Sequence, residues 1–120
     1  MKKYDLEQRL IEFSVSIIEI VNEMHSSKAG NHLSGQLVRS GTSVSLNYGE
    51  AQSAESKKDF IHKMKVILKE LRETFVCLKI IHQSRLYKTE NLLTKAKTEN
   101  NELISIFVKS IETAKKNHKS

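Results

Sequence analysis

GNHLSGQLVRSGTSVSLNYGEAQSAESKKDFIHKMKVILKELRET, residues 30–74, contains two consecutive helical patterns. In the first, Leu33, Leu37, Ser40, Val44, Asn47 and Ala51 recur at intervals of four and three, which places them on one helical face. The second repeats the spacing at Phe60, Met64, Ile67 and Leu71 and carries it on to Phe75 and Leu78. Between them, Ser56-Lys57-Lys58-Asp59 fits a capping box, in which the serine hydroxyl accepts from the Asp59 amide and the carboxylate reaches back. Ser40 and Asn47 fall on the apolar face, so both are predicted to be buried and hydrogen-bonded, because an unpaired buried polar group costs about 1–3 kcal/mol. Gly41, Ser45 and Gly49 stand four apart. Glycine inside a helix costs about 1 kcal/mol against alanine, so this line of small residues predicts close approach of another backbone.

Outward from that stretch, Leu6, Leu10, Phe13, Ile17, Ile20 and Met24 predict a first helix over about 5–24, with Asp5 as N-cap. Ile11, Ile18 and Val21 widen its apolar stripe, as in a helix that meets more than one neighbour or lies at a subunit interface. Residues 25–30 form the one long break, and Asn31 is the expected N-cap of a second helix over about 31–52. A third helix spans about 57–83. A fourth, about 90–115, carries Leu93, Ala96, Asn100, Leu103, Phe107, Ser110 and Ala114 on one face. Its polar Thr98-Glu-Asn-Asn-Glu patch is a candidate bend, and residues 116–120 read as a frayed basic tail. Short connections between four helices predict an all-α, antiparallel up-down-up-down bundle in a single domain over 1–120.

The composition agrees. The chain of 120 residues has no Pro and four Gly, the residues that interrupt helices at about 3 and about 1 kcal/mol. Apolar runs are far shorter than the roughly 20 residues that span a bilayer. The start, Met1-Lys-Lys-Tyr-Asp-Leu-Glu, lacks the apolar stretch of a secretory signal. Cys77 is the sole cysteine, which suits a reducing cytoplasm.

The net charge of +6 is concentrated: residues 57–88 hold nine Lys or Arg against three acids. Lys58, Lys65, Lys69, Arg72 and Lys79 follow one another at seven, four, three and seven, a single stripe beside the apolar face with His62 near it. Such a row could track a phosphate backbone, each contact releasing counterions. The plainer reading is a solvated lysine face. On the other flank, Glu55, Asp59, Glu70 and Glu73 alternate with Val66, Cys77 and Ile80, which suggests a basic edge meeting an acidic edge head to tail in a ring. Local pairing, such as Lys69 with Glu73, is the competing explanation.

RSGTSVSLNYGEAQSAESKKDFIHK (residues 39–63) followed by KELRET (residues 69–74) resembles the signature of the four-helix-bundle family of 23S ribosomal RNA intervening-sequence proteins. The resemblance runs from Tyr4 through the third helix and fades in the fourth. It implies a small bacterial cytoplasmic protein and an antiparallel four-helix bundle assembled into a ring, usually a homopentamer. A relative, the accessory variability protein of diversity-generating retroelements, binds nucleic acid together with a reverse transcriptase. Arg39, Asn47, Glu50, Ser53 and Phe60 match the family motif, and they are expected to hold the second and third helices together.

Sites for chemistry are sparse. A di-iron bundle needs two Glu-x-x-His motifs and two further carboxylates, whereas Asp59-x-x-His62 stands alone. No His pair occurs at i,i+4 for zinc, and there is no glycine-rich phosphate loop or glycine-flanked nucleophile turn. No metal, cofactor or enzymatic activity is expected. The first reading is therefore an oligomeric bundle that binds RNA or DNA through Lys58, Lys65, Lys69, Arg72 and Lys79. The alternative is a protein-interaction scaffold or accessory subunit without direct nucleic-acid binding, and a third reading places an enzyme site between subunits.

Overall fold

The computed structural model describes the backbone of residues 3–119 and the side chains of residues 5–117. Four helices follow in order: α1 (Lys3–Asn22), α2 (Lys28–Gln52), α3 (Lys57–Ser84) and α4 (Glu90–Lys119). The N–H of His25, after α1, donates to the Leu86 carbonyl oxygen at 3.1 Å. The Tyr87 hydroxyl donates to Glu23 Oε1 at 2.7 Å. The α1–α2 and α3–α4 connections therefore share one end of the molecule, and neighbouring helices run antiparallel. α2 packs on α1 and α3, α4 packs on α3 and more sparsely on α1, and the diagonal pairs keep their backbones more than 8 Å apart and touch only through core side chains. The result is an up-down-up-down bundle about 51 Å long and 22 Å across.

The helix ends refine the sequence reading. Ser56 caps α3 as predicted, its hydroxyl accepting from the Asp59 N–H at 3.0 Å. The cap of α2 is Ser27 rather than Asn31: its side chain accepts from the Gly30 N–H at 3.0 Å. A Cβ at Gly30 would lie 2.0 Å from the His25 carbonyl oxygen, so this glycine belongs to the first turn of α2 instead of breaking the chain. Asp5 likewise sits inside the first turn of α1. α4 continues as one unbroken helix through its polar patch to Lys119. The expected tail at 116–120 is thus helical in backbone as far as Lys119, while Ser120 and the side chains of His118 and Lys119 lie outside the described residues.

All four helices feed one core, with Leu10, Ile17, Leu37, Leu71, Leu103 and Phe107 among its fully enclosed members. Each such side chain stabilises the fold by about 1.5–3 kcal/mol relative to exposure. Tyr48 and Phe107 meet edge to face at 6.0 Å. A polar belt crosses this core at mid-height. Ser14 Oγ donates to the Gly41 carbonyl oxygen and lies 2.7 Å from Ser45 Oγ. Thr74 Oγ1 donates to Ser40 Oγ at 2.8 Å, and Asn100 Nδ2 donates to the Leu71 carbonyl oxygen at 3.0 Å. The predicted burial of Ser40 is observed, whereas Asn47 is only half-buried.

The small-residue line divides as well. At Gly41 an added Cβ would meet Ile17 Cγ2 at 2.8 Å, so α1 and α2 approach closely there, but nothing lies within 4 Å of the same position on Gly49.

Candidate nucleic-acid interface

α3 places Lys63, Glu70, Thr74 and Cys77 toward α2, where each contacts that helix. At 3.6 residues per turn, Lys58, Lys65, Lys69, Arg72 and Lys79 then fall on the outer face turned away from α2. All five are exposed, as is His62 beside them. Among the described residues none of the five has a carboxylate partner within ion-pair distance. Lys79 Nζ stands over the Phe75 ring, 5.2 Å from its centroid. From Lys58 to Lys79 the row measures about 32 Å along a rigid helix.

Three other cations, Arg9, Arg39 and Lys63, are neutralised within the chain. Arg9 on α1 makes a two-pronged contact with Glu99 on α4, at 2.6 and 2.7 Å, and reaches Glu102 at 3.4 Å. Lys63 donates to Glu50 on α2 at 2.9 Å. Arg39 on α2 donates to Glu70 at 2.9 Å and to Glu73, and the hydrogen bond with Glu73 raises its pKa. This corrects the acidic flank expected for a head-to-tail contact. Two of its four carboxylates are already engaged, by an arginine of the same chain rather than by Lys69.

The family-motif residues sit away from the row. Arg39 and Glu50 bridge α2 to α3. Ser53 terminates α2, its backbone N–H donating to the Glu50 and Ala51 carbonyl oxygens. Phe60 is half-buried beside Tyr48 and Lys57 at the α2–α3 turn.

Exposed apolar side chains collect on two neighbouring sides of the bundle. Ile11, Val15 and Ile18 on α1 and Leu46 on α2 are 40–69% exposed. Around the next edge, Val76 and Ile80 on α3 border a cleft of about 510 Å³ with Leu33 and Cys77. Ile11 and Ile18 were legible as a widened stripe. Val15, Leu46 and Val76 were not, because each is a single apolar residue outside its helix's main periodicity. On the side formed by α1 and α4, Glu12, Glu19, Glu99 and Glu102 surround a shallow cleft floored by Phe13.

No group of three or more His, Cys, Asp or Glu suited to a metal occurs among the described residues, and no described helix is long and apolar enough to cross a membrane. The sequence model of the 23S rRNA-intervening sequence protein family matches residues 2–109. The chain belongs to that family. A crystal structure of a protein with unknown function from the S23 ribosomal protein family of Bacteroides thetaiotaomicron VPI-5482 is similar to it, with a TM-score of 0.83 and 28% identity over 93% of this chain and 99% of that one. No curated protein matches the chain significantly. For this intervening-sequence family protein, the basic row and both apolar sides lie within the matched residues, and only the last part of α4 falls beyond them.

Proposed function

We propose that this protein is a non-catalytic, self-associating cytoplasmic bundle that binds nucleic acid through Lys58, Lys65, Lys69, Arg72 and Lys79. One observation carries the reading. Arg9, Arg39 and Lys63 are neutralised by carboxylates of the same chain, while these five cations share one helix face and are left to solvent. Engaging all five with phosphates would release about five counterion equivalents, giving a log K against log salt slope of roughly −4.5 on a duplex.

Self-association follows from the apolar sides. Ile11, Val15, Ile18 and Leu46 form one, and the Leu33, Val76, Ile80 cleft forms the other; they share α2 and so face about a right angle apart. A contact of one side with the other is heterologous, and an angle of about 90–108° between the two sides closes a small ring of four or five copies. A ring repeats the basic row around its axis and multiplies a weak site. The same apolar sides favour a second reading, in which they dock another protein and the charge serves solubility.

The test is nucleic-acid mobility across a salt series, with mass measured by light scattering on the same samples. Steep salt dependence by an oligomer, lost in Lys65→Glu/Lys69→Glu/Arg72→Glu without loss of helicity, is expected. Unchanged binding by that triple variant removes the row from the mechanism, and no binding at low salt by a folded oligomer favours the scaffold.

A further inference from the structure

We infer that the basic row is built for double-stranded nucleic acid and discriminates against single strands; the inference rests on the nucleic-acid reading above and specifies its ligand. Unstructured single strands are held by combining a basic groove with aromatic platforms, each stacked base contributing about 1–3 kcal/mol. This surface offers little of that kind. Among the described side chains no Phe or Tyr is exposed: Phe13, Tyr48, Tyr87 and Phe107 are buried, and Phe60 and Phe75 half-buried, which leaves the small His62 imidazole as the open ring beside the row. The Lys79 ammonium stands over the Phe75 ring at 5.2 Å, where a base would have to stack.

The row's shape points the same way. Its five cations lie on one unbroken helix over about 32 Å, close to the roughly 34 Å of one turn of B-form duplex. Lys65, Lys69 and Arg72 are grouped within about 10 Å, and Lys58 and Lys79 stand about 10 Å beyond either end, a spacing near the roughly 12 Å width of a major groove. A stiff line of charge loses little entropy on meeting a stiff duplex. A flexible strand would have to be straightened against it, with little stacking to offset that ordering. Since every contact is to phosphate, the preference concerns strandedness and carries no base sequence.

The experiment is fluorescence anisotropy with a labelled RNA duplex and a DNA duplex of about two turns, each beside a single strand of equal length that cannot fold on itself, at one fixed salt concentration. The DNA duplex should bind about tenfold or more tightly than its single strand, with the narrow-grooved A-form RNA duplex gaining less, and Lys65→Glu/Lys69→Glu/Arg72→Glu should abolish the difference while circular dichroism shows an intact bundle. Equal or tighter single-strand binding that the same triple variant abolishes would overturn the duplex inference and leave the nucleic-acid reading standing. Failure of both forms to bind at low salt would overturn both.

Discussion

Asn100 of α4 donates from its fully enclosed side chain to the Leu71 carbonyl oxygen of α3 at 3.0 Å, while its own Oδ1 has no partner. One half of the amide ties two helices together at the polar belt, and the other half is an uncompensated acceptor in the core.

Asn100→Asp is therefore expected to be strongly destabilising at neutral pH, by about 3 kcal/mol or more, although the side chains are nearly the same size. The carboxylate cannot donate to Leu71, and burial raises its folded-state pKa above the unfolded value. Its stability is retained below the unfolded carboxylate range and lost as pH rises through the folded pKa. Urea titrations at pH 4 and pH 7 check this, and equal losses at both would contradict it.

Gly41 and Gly35 should respond to alanine in opposite senses. At Gly41 the new Cβ would meet Ile17 at 2.8–2.9 Å, and overpacking of about 1–3 kcal/mol exceeds the roughly 1 kcal/mol gained in helix propensity. At Gly35 nothing lies within 4 Å, so Gly35→Ala should stabilise by up to about 1 kcal/mol. Denaturant midpoints of the two variants decide between this and a uniform effect.

Arg9 joins α1 to α4 on the most sparsely packed side of the bundle. With both partners partly exposed, Arg9→Ala should cost about 1 kcal/mol, and the loss should shrink as salt rises from low to molar concentration. A salt-independent loss would mean that the arginine's aliphatic stem, rather than its charge, holds the seam.

Burial pushes the Cys77 thiol up to about 11 from its ordinary 9.0, with Glu73 adding to the effect. The folded state holds this proton more tightly than the unfolded chain, so the contribution is complete below pH 9 and is lost as pH rises toward 11. Wild type should lose on the order of 2 kcal/mol more than Cys77→Ala across that window. Parallel melting curves for the two proteins from pH 8.5 to 10.5 would refute the assignment.

Ile18→Glu and Ile80→Glu each place a charge on one of the two apolar sides. Either change alone should leave helicity intact and yield monomers in sedimentation, because a heterologous contact needs both surfaces. An unchanged mass in both variants would remove these sides from the assembly.

Much of this was readable in advance, for reasons that differ by residue. Ser56 announced α3 because a cap acts through local hydrogen bonds, and the α3 cation row was visible because helical spacing alone puts residues seven, four and three apart on one line. Ser27 was missed because Gly30 looked like a break; only the nearby His25 carbonyl oxygen explains why a glycine is needed inside that turn. Arg39 was placed in the α2–α3 seam by resemblance, but its two carboxylate partners lie more than 30 positions away.

By itself the sequence determined four amphipathic helices, their order and the location of the surplus charge, since periodicity, caps and composition act over a few residues. Only the tertiary structure decided which charges remain free. Ion pairing joins Arg9 to Glu99, Arg39 to Glu70 and Glu73, and Lys63 to Glu50 across helix boundaries, leaving the α3 row without carboxylate partners among the described residues. It also decided which apolar residues stay uncovered, because a helix pattern specifies a buried face but not how far a neighbour reaches around it. Packing of α1 against α2 at Gly41 encloses Ile17 and leaves Ile11, Val15 and Ile18 partly in water.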